Sequence, residues 1–256
     1  MITFPNAKLN LGLNILRRRE DGYHDLESLF IPYEGLRDIL EIIPSDKLGI
    51  YIYGIPVDGD AMDNLCVKAW NLLHERYDIP PVEIHLWKGI PSGAGLGGGS
   101  ADASFTLAML NEMFLLRLQT GQLAEMAAQL GSDCPFFIYN RPMLASGRGE
   151  ILTPYRGLDL DGYRLEVIKP DVSISTAEAY RGVRPHIPEV PLTEVLKSPV
   201  GQWKSTLVND FEASIFPAHP QIEAVKREFY ERGAVYASMS GSGSAVFALF
   251  EMEDKQ

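Results

Sequence analysis

The chain has 256 residues, 46% hydrophobic and 22% charged, a composition near the globular average that argues against a disordered or fibrous protein. Its 23 Lys and Arg against 34 Asp and Glu leave a net charge of −11, which fits neither a general nucleic-acid binder nor a protein of anionic membrane surfaces. The length suits one large domain or two small ones.

In chain order, Leu9, Leu11, Leu13 and Ile15 alternate with polar or small residues, which predicts a strand with one buried face. Residues 40–43 and 49–53 are further strands, and 54–62, with Pro56 and Gly59, is the loop behind them. Asp63 or Asn64 caps a helix that reaches about residue 77 and is stopped by Pro80-Pro81. A strand over 82–87 leads into the glycine-rich run 91–100, and helices are expected over 100–114 and 120–130. Gly131 ends the second, and Asp133 and Pro135 begin a turn into 136–139. Beyond that, 163–168 reads as a strand and the proline-bearing 182–191 as an extended loop. An amphipathic helix over 219–232 ends at Gly233, and strands over 235–239 and 245–250 flank Ser240-Gly241-Ser242-Gly243-Ser244. A domain boundary near Gly147-Arg148-Gly149 divides the chain into 1–148 and 149–256.

Cys66 and Cys134 lie far apart with no CxxC partner, so neither a disulfide framework nor a zinc site is suggested. The longest apolar stretches, such as 245–250, fall far short of the roughly 18 residues a membrane helix needs. Residues 1–10 have no basic n-region and do not read as a signal peptide. A reduced, cytoplasmic α/β-type protein is expected, with no nucleic-acid or membrane partner.

Pro91-Ser92-Gly93-Ala94-Gly95-Leu96-Gly97-Gly98-Gly99-Ser100-Ala101 carries the most information. Five glycines leave backbone N–H groups unobstructed, and the helix that follows adds the positive end of its dipole. No Gly-Lys-Ser/Thr closes the run, so it is not a Walker A loop, and the glycine spacing does not fit a dinucleotide fingerprint. A tight turn needs one or two glycines and each further one costs about 1 kcal/mol in chain entropy, so an anion-binding loop is preferred to a plain connector.

Other residues are ambiguous singly. Lys8 in an apolar strand points into a site or, more often for such a residue, to solvent. Asp133 beside the apolar Cys134-Pro135-Phe136-Phe137 is a cap or a placed base. Gly22-Tyr23-His24 reads as a turn with a packed tyrosine or as two flat faces for a ligand.

Together, Asn6-Ala7-Lys8-Leu9-Asn10-Leu11, Gly22-Tyr23-His24, Pro91 to Ala101, Gly131-Ser132-Asp133-Cys134-Pro135-Phe136-Phe137 and Met239 to Ser244 resemble the GHMP kinase superfamily, in its motif order and over nearly the whole chain. Within it the likeness is to the branch that phosphorylates a cytidine-diphosphate-linked sugar alcohol in the non-mevalonate isoprenoid route. The resemblance implies an α/β fold of the α+β type. Its N-terminal half would be ribosomal-protein-S5-domain-2-like and its C-terminal half ferredoxin-like, with the active site in the cleft between them.

The resemblance also implies ATP with Mg²⁺ as phosphate donor and transfer to a tertiary hydroxyl of the cytidyl substrate. Lys8 and Asp133 would be the catalytic pair, residues 91–101 the ATP loop, and Ser100 a candidate hydroxyl on the metal side. Asn10, Tyr23, His24, Thr176 and Tyr180 would contact the substrate, Tyr180 as a second aromatic against the cytosine. Ala101 stands where many members have a second serine. A monomer or weak homodimer is expected. The rival readings are another GHMP kinase, for homoserine, mevalonate or a sugar, and a non-catalytic nucleotide-binding module. The first has no need of Tyr23 and His24; the second has no reason to keep both Lys8 and Asp133.

Overall fold

The computed structural model describes residues 1–252. Up to residue 141 the elements are β1 (Ile2–Thr3), β2 (Asn6–Arg18), β3 (His24–Arg37), β4 (Ile39–Pro44), β5 (Gly49–Gly54), α1 (Leu65–Tyr77), β6 (Val82–Lys88), α2 (Gly98–Met113), α3 (Thr120–Ala127) and α4 (Cys134–Tyr139). Then follow β7 (Met143–Ser146), β8 (Ile151–Pro154), β9 (Tyr163–Ile168), α5 (Thr176–Gly182), α6 (Leu192–Val195), α7 (Trp203–Thr206), α8 (Glu212–Ala218), α9 (Pro220–Glu231), β10 (Tyr236–Met239) and β11 (Val246–Glu251). Packing gathers them into two compact units. Residues 1–8, 32–92 and 97–141 make the first; residues 9–31, 93–96 and those from Pro142 onward make the second.

The first unit is built on a sheet of order β1-β4-β6-β5, in which β5 runs parallel to β6 and the other pairs are antiparallel. Strand alternation sets its two faces: Val82, Ile84, Leu86 and Lys88 are buried, while Trp87 between them is exposed. Leu40, Ile42, Ile84 and Leu86 share one core with Ala69, Leu73, Leu107 and Leu110 of α1 and α2. Each fully buried leucine or isoleucine there contributes about 1.5–3 kcal/mol by leaving water. Asn64 caps α1 by accepting from the Cys66 N–H, and Asp78 in the left-handed region closes it.

The second unit holds an antiparallel sheet of order β10-β11-β9 and most of a sheet of order β2-β3-β7-β8, in which β3–β7 and β7–β8 pair antiparallel. Leu13, Ile15, Leu26, Phe211, Phe229, Met239, Val246 and Phe250 share its core. In the β10-β11-β9 sheet β11 is central, which is why 245–250 reads as an unbroken apolar run: both of its faces are covered.

Most expected elements are present, with shifts at their ends. The first strand is longer than predicted and, from Asn6 to Leu13 and on to Ile15, buried on both faces rather than one. The helix expected from 100 starts at Gly98, and that over 120–130 is regular only to Ala127 before it loosens into turns. The turn into 136–139 is itself helical: Pro135 occupies the first turn of α4, where its missing N–H has no partner to lose. Residues 176–182, given no element from the sequence, form α5, with Ser175 accepting from the Glu178 N–H at 3.1 Å. No helix among the described residues is long and apolar enough to cross a membrane.

Candidate active site

In the first unit, Lys8 is 4% exposed on β2, so the solvent-facing expectation for it fails. Its Nζ lies 3.3 Å from Asp133 Oδ2, and a third of the Asp133 side chain stays open to solvent. Asp133 occupies the position before α4 but makes no capping hydrogen bond, leaving its carboxylate to the lysine. A buried ammonium group held against a partly open carboxylate can orient a hydroxyl proton on one side and offset charge on a transferring group on the other.

Gly97 links this pair to the glycine loop. It precedes α2 with φ +72°, and a Cβ there would sit 3.0 Å from Lys8 Cγ and 2.9 Å from Phe137 Cζ. Only glycine lets the backbone come so close in the left-handed region. No side chain caps α2, so the N–H groups of its first turn, among them Gly99 and Ser100, are not taken by a side-chain acceptor. Ala101 is buried in the core and Ser100 half-buried.

Residues 93–96 belong to the second unit. Gly93 and Gly95 have φ +62° and +75°, while Ala94 and Leu96 are buried and anchor the loop by their side chains. The Ala245 N–H donates to the Ala94 carbonyl at 3.1 Å, and Ser240 Oγ donates to the Gly95 carbonyl at 2.9 Å. A Cβ on Gly95 would lie 1.9 Å from the Ser240 carbonyl oxygen. The Ser240–Ser244 turn, which joins β10 to β11, therefore lies against the middle of the glycine loop. Pro91 and Ser92 precede it, half-buried and exposed.

A charged cluster under α2 was not foreseen. Lys88 Nζ donates to Asp38 and, at 2.6 Å, to Asp102, with all three side chains at most 3% exposed. Asp38 Oδ1 also accepts the N–H groups of Gly89 and Ile90, the two residues leading to the loop. Burial works to lower the Lys88 pKa, but the two carboxylates outweigh it and leave it raised. Burial is also the main reason the Asp102 carboxyl is pushed up to about 8. The signal was present in β6: the side that buries Val82, Ile84 and Leu86 must also bury Lys88, which then needs a counter-charge.

The proposed substrate residues all lie in the second unit. His24 stacks on Tyr180, ring centroids 4.9 Å apart and planes at 24°, and Tyr180 meets the edge of Phe211 at 4.9 Å. Burial, and then Arg18, lower the His24 pKa, so the ring is neutral at neutral pH. Tyr23 is 56% exposed rather than packed, with the Arg148 guanidinium 4.8 Å from its ring centroid. Thr176 opens α5 on the surface, one turn before Tyr180. Asn10 is buried on β2, its Nδ2 donating to Ser28 Oγ at 2.9 Å. The structure thus brings His24 and Tyr180 together, with Tyr23 next to His24 in the chain.

Two family models match the chain, one for the GHMP kinases N terminal domain over residues 64–141 and one for the GHMP kinases C terminal over 199–256. The 4-diphosphocytidyl-2-C-methyl-D-erythritol kinase of Bacteroides thetaiotaomicron is 54% identical over 257 residues, spanning 99% of this chain and 93% of its own. A crystal structure of 4-(cytidine 5'-diphospho)-2C-methyl-D-erythritol kinase superposes with a TM-score of 0.83 at 35% identity, over 97% of this chain and 90% of that one. The homoserine kinase of Cytophaga hutchinsonii superposes with a TM-score of 0.67 over 97% of this chain and 86% of its own, but at 19% identity it shares the fold alone. The chain belongs to the GHMP kinases, within the family of 4-diphosphocytidyl-2-C-methyl-D-erythritol kinases.

Proposed function

We propose that this chain transfers the γ-phosphoryl group of ATP to the 2-hydroxyl of 4-diphosphocytidyl-2-C-methyl-D-erythritol, a step of non-mevalonate isoprenoid precursor biosynthesis. The observation that carries the chemistry is the 3.3 Å pair of Lys8 and Asp133, with Gly97 at the uncapped start of α2 against the Lys8 stem. Family membership carries the choice of substrate. The two family models fall on either side of residue 148, while packing places residues 9–31, 93–96 and 142–148 with the C-terminal part, so the two halves are not a simple division at that residue.

In this reading residues 91–101 hold the triphosphate through backbone N–H groups and the dipole of α2. A Mg²⁺ ion bound with ATP would offset part of its charge. Among the described residues no three His, Cys, Asp or Glu side chains gather to hold a metal, so phosphate oxygens and water would supply most of its shell, with the Ser100 hydroxyl beside them. Asp133 orients the substrate hydroxyl and accepts its proton as the phosphoryl group moves, and Lys8 stabilises both that carboxylate and the transferring oxygens. Tyr23, His24 and Tyr180 offer flat faces to the cytosine, and Asn10 and Thr176 complete the contacts to the substrate. The soluble enzyme would work in the cytoplasm as a monomer or weak homodimer.

The test is ADP release with Mg-ATP and the cytidyl compound, run beside homoserine and mevalonate, for the wild type and Asp133→Asn. Turnover confined to the cytidyl compound is expected. The variant should bind ATP within a few-fold of wild type while kcat falls by about 10²–10⁴. Turnover with homoserine or mevalonate instead would keep the kinase and discard the cytidyl substrate.

A further inference from the structure

The Ser240–Ser244 turn touches the glycine loop, and its own residues tie it only in part: the Gly243 N–H donates to the Ser240 carbonyl at 3.0 Å and Ser244 Oγ to the Val172 carbonyl at 2.5 Å. A further anchor for the start of the turn comes from elsewhere in the second unit. Asn209, 2% exposed, donates from Nδ2 to the carbonyls of both Met239 and Gly241, at 2.8 Å each, and its Oδ1 accepts the Phe211 N–H at 3.0 Å. All three polar functions of the amide are thereby used, and two of them hold the two ends of the bend that leaves β10. Glu212 holds the strand just before it, accepting the Met239 N–H at 2.8 Å and the Ser238 hydroxyl at 3.2 Å.

Asn209 is itself pinned to β2. The Leu13 N–H donates to Val208, the Asp210 N–H donates to Leu13, and the Ile15 N–H donates to Asp210 Oδ2, at 2.8, 2.9 and 2.7 Å. On the far side of the turn, Ser240 reaches the Gly95 carbonyl and Ala245 the Ala94 carbonyl. At Gly241 three segments converge: a Cβ there would lie 3.2 Å from the Gly95 Cα and 3.4 Å from Asn10 Oδ1. β2, the turn and the glycine loop therefore meet at a point where one buried amide holds the two carbonyls that flank Ser240.

We infer that Asn209 is a positioning residue for ATP binding: through the Met239 and Gly241 carbonyls it sets the Ser240–Ser244 turn, and through that turn the 93–96 stretch of the phosphate loop. The inference rests on the reading of residues 91–101 as the ATP loop. Asn209 touches no substrate in this scheme; it fixes which backbone groups face the phosphates.

The experiment is Mg-ATP affinity by calorimetry, which needs no second substrate, together with KM for ATP and for the cytidyl compound. Asn209→Asp keeps the shape and the acceptor for Phe211 N–H but removes both donated bonds. It should weaken Mg-ATP binding ten-fold or more while the KM of the cytidyl compound moves less than three-fold. Ser240→Ala, a milder change that removes only the hydroxyl link to Gly95, should weaken ATP three- to ten-fold. The double variant should be little worse than Asn209→Asp, because both act along one path. Unchanged ATP affinity in a folded Asn209→Asp, equal weakening toward both substrates, or strictly additive losses would each overturn the inference. Should Asn209→Asp fail to fold, Ser240→Ala decides alone: wild-type affinity for ATP overturns the proposal. A wild-type chain that does not bind Mg-ATP would instead overturn the phosphate-loop reading, and this inference with it.

Discussion

Lys8 sits in a strand buried on both faces, where an ammonium group is costly without a counter-charge, and Asp133 supplies one from the position before α4. Lys88 meets the same requirement differently, with two carboxylates for one cation, so the Asp38–Lys88–Asp102 cluster carries a surplus negative charge when fully ionised. Among the described residues, Asp102 Oδ1 is buried without a hydrogen-bond partner, a poor place for that charge. The raised pKa of Asp102 turns this into a stability prediction. A carboxyl whose folded-state pKa lies above its unfolded value contributes stability that is complete below the unfolded value and lost as pH rises through the folded one. Wild type should therefore lose stability between pH 6 and pH 9, and Asp102→Asn, which leaves Lys88 paired one-to-one with Asp38, should lose less by more than ~1 kcal/mol. Urea unfolding of both proteins at the two pH values checks this; parallel pH slopes would show that Asp102 is ionised throughout.

The glycine loop shows how one element divides its work between permissive and obligatory positions. Gly93 and Gly95 both have positive φ, but a Cβ on Gly93 would meet nothing within 4 Å, whereas on Gly95 it would run into the Ser240 carbonyl. Gly93→Ala should cost only the left-handed backbone term, about 1 kcal/mol, and bind ATP nearly as wild type. Gly95→Ala must displace the Ser240–Ser244 turn and should weaken ATP ten-fold or more; ATP titration of the two variants side by side tests the difference. The loop itself was legible, because five glycines before an apolar helical repeat have few other uses. So were α1, β6 and α9, whose periodicity and punctuation are local. β3 was not: its burial follows no two-residue alternation, and partner strands rather than its own sequence hold it extended. The strand pattern alone left Lys8 between site and solvent, and only the family resemblance paired it with Asp133; the anchoring of the turn by Asn209 escaped, since it depends on a partner far away in the chain that only folding brings near.

Over the whole molecule, a net charge of −11 has to coexist with two anionic substrates. Bulk electrostatics cannot recruit them, so in the proposed reading recognition falls to groups that work at close range: backbone N–H at the start of α2, the Lys8 ammonium, and aromatic faces for the base. The Lys8–Asp133 pair belongs to the first unit and the aromatic cluster to the second, while the glycine loop contributes residues to both. Changes in the aromatic cluster should therefore alter which acceptor is used without touching the reaction or ATP. Stacking on a base is worth about 1–3 kcal/mol, so Tyr180→Ala should raise the KM of the cytidyl compound roughly ten- to hundred-fold, with the affinity for Mg-ATP unchanged. Tyr180→Phe keeps the ring that stacks on His24 and meets Phe211, and should stay within about three-fold of wild type. Protonating His24 adds a positive charge where a neutral ring faces the base, so affinity for the cytidyl compound should be flat from pH 7 to 8 and change only in more acidic solution, below the ordinary histidine value. KM profiles for the three proteins across that range measure both effects, and a Tyr180→Ala enzyme with wild-type KM would remove the aromatic cluster from the substrate site.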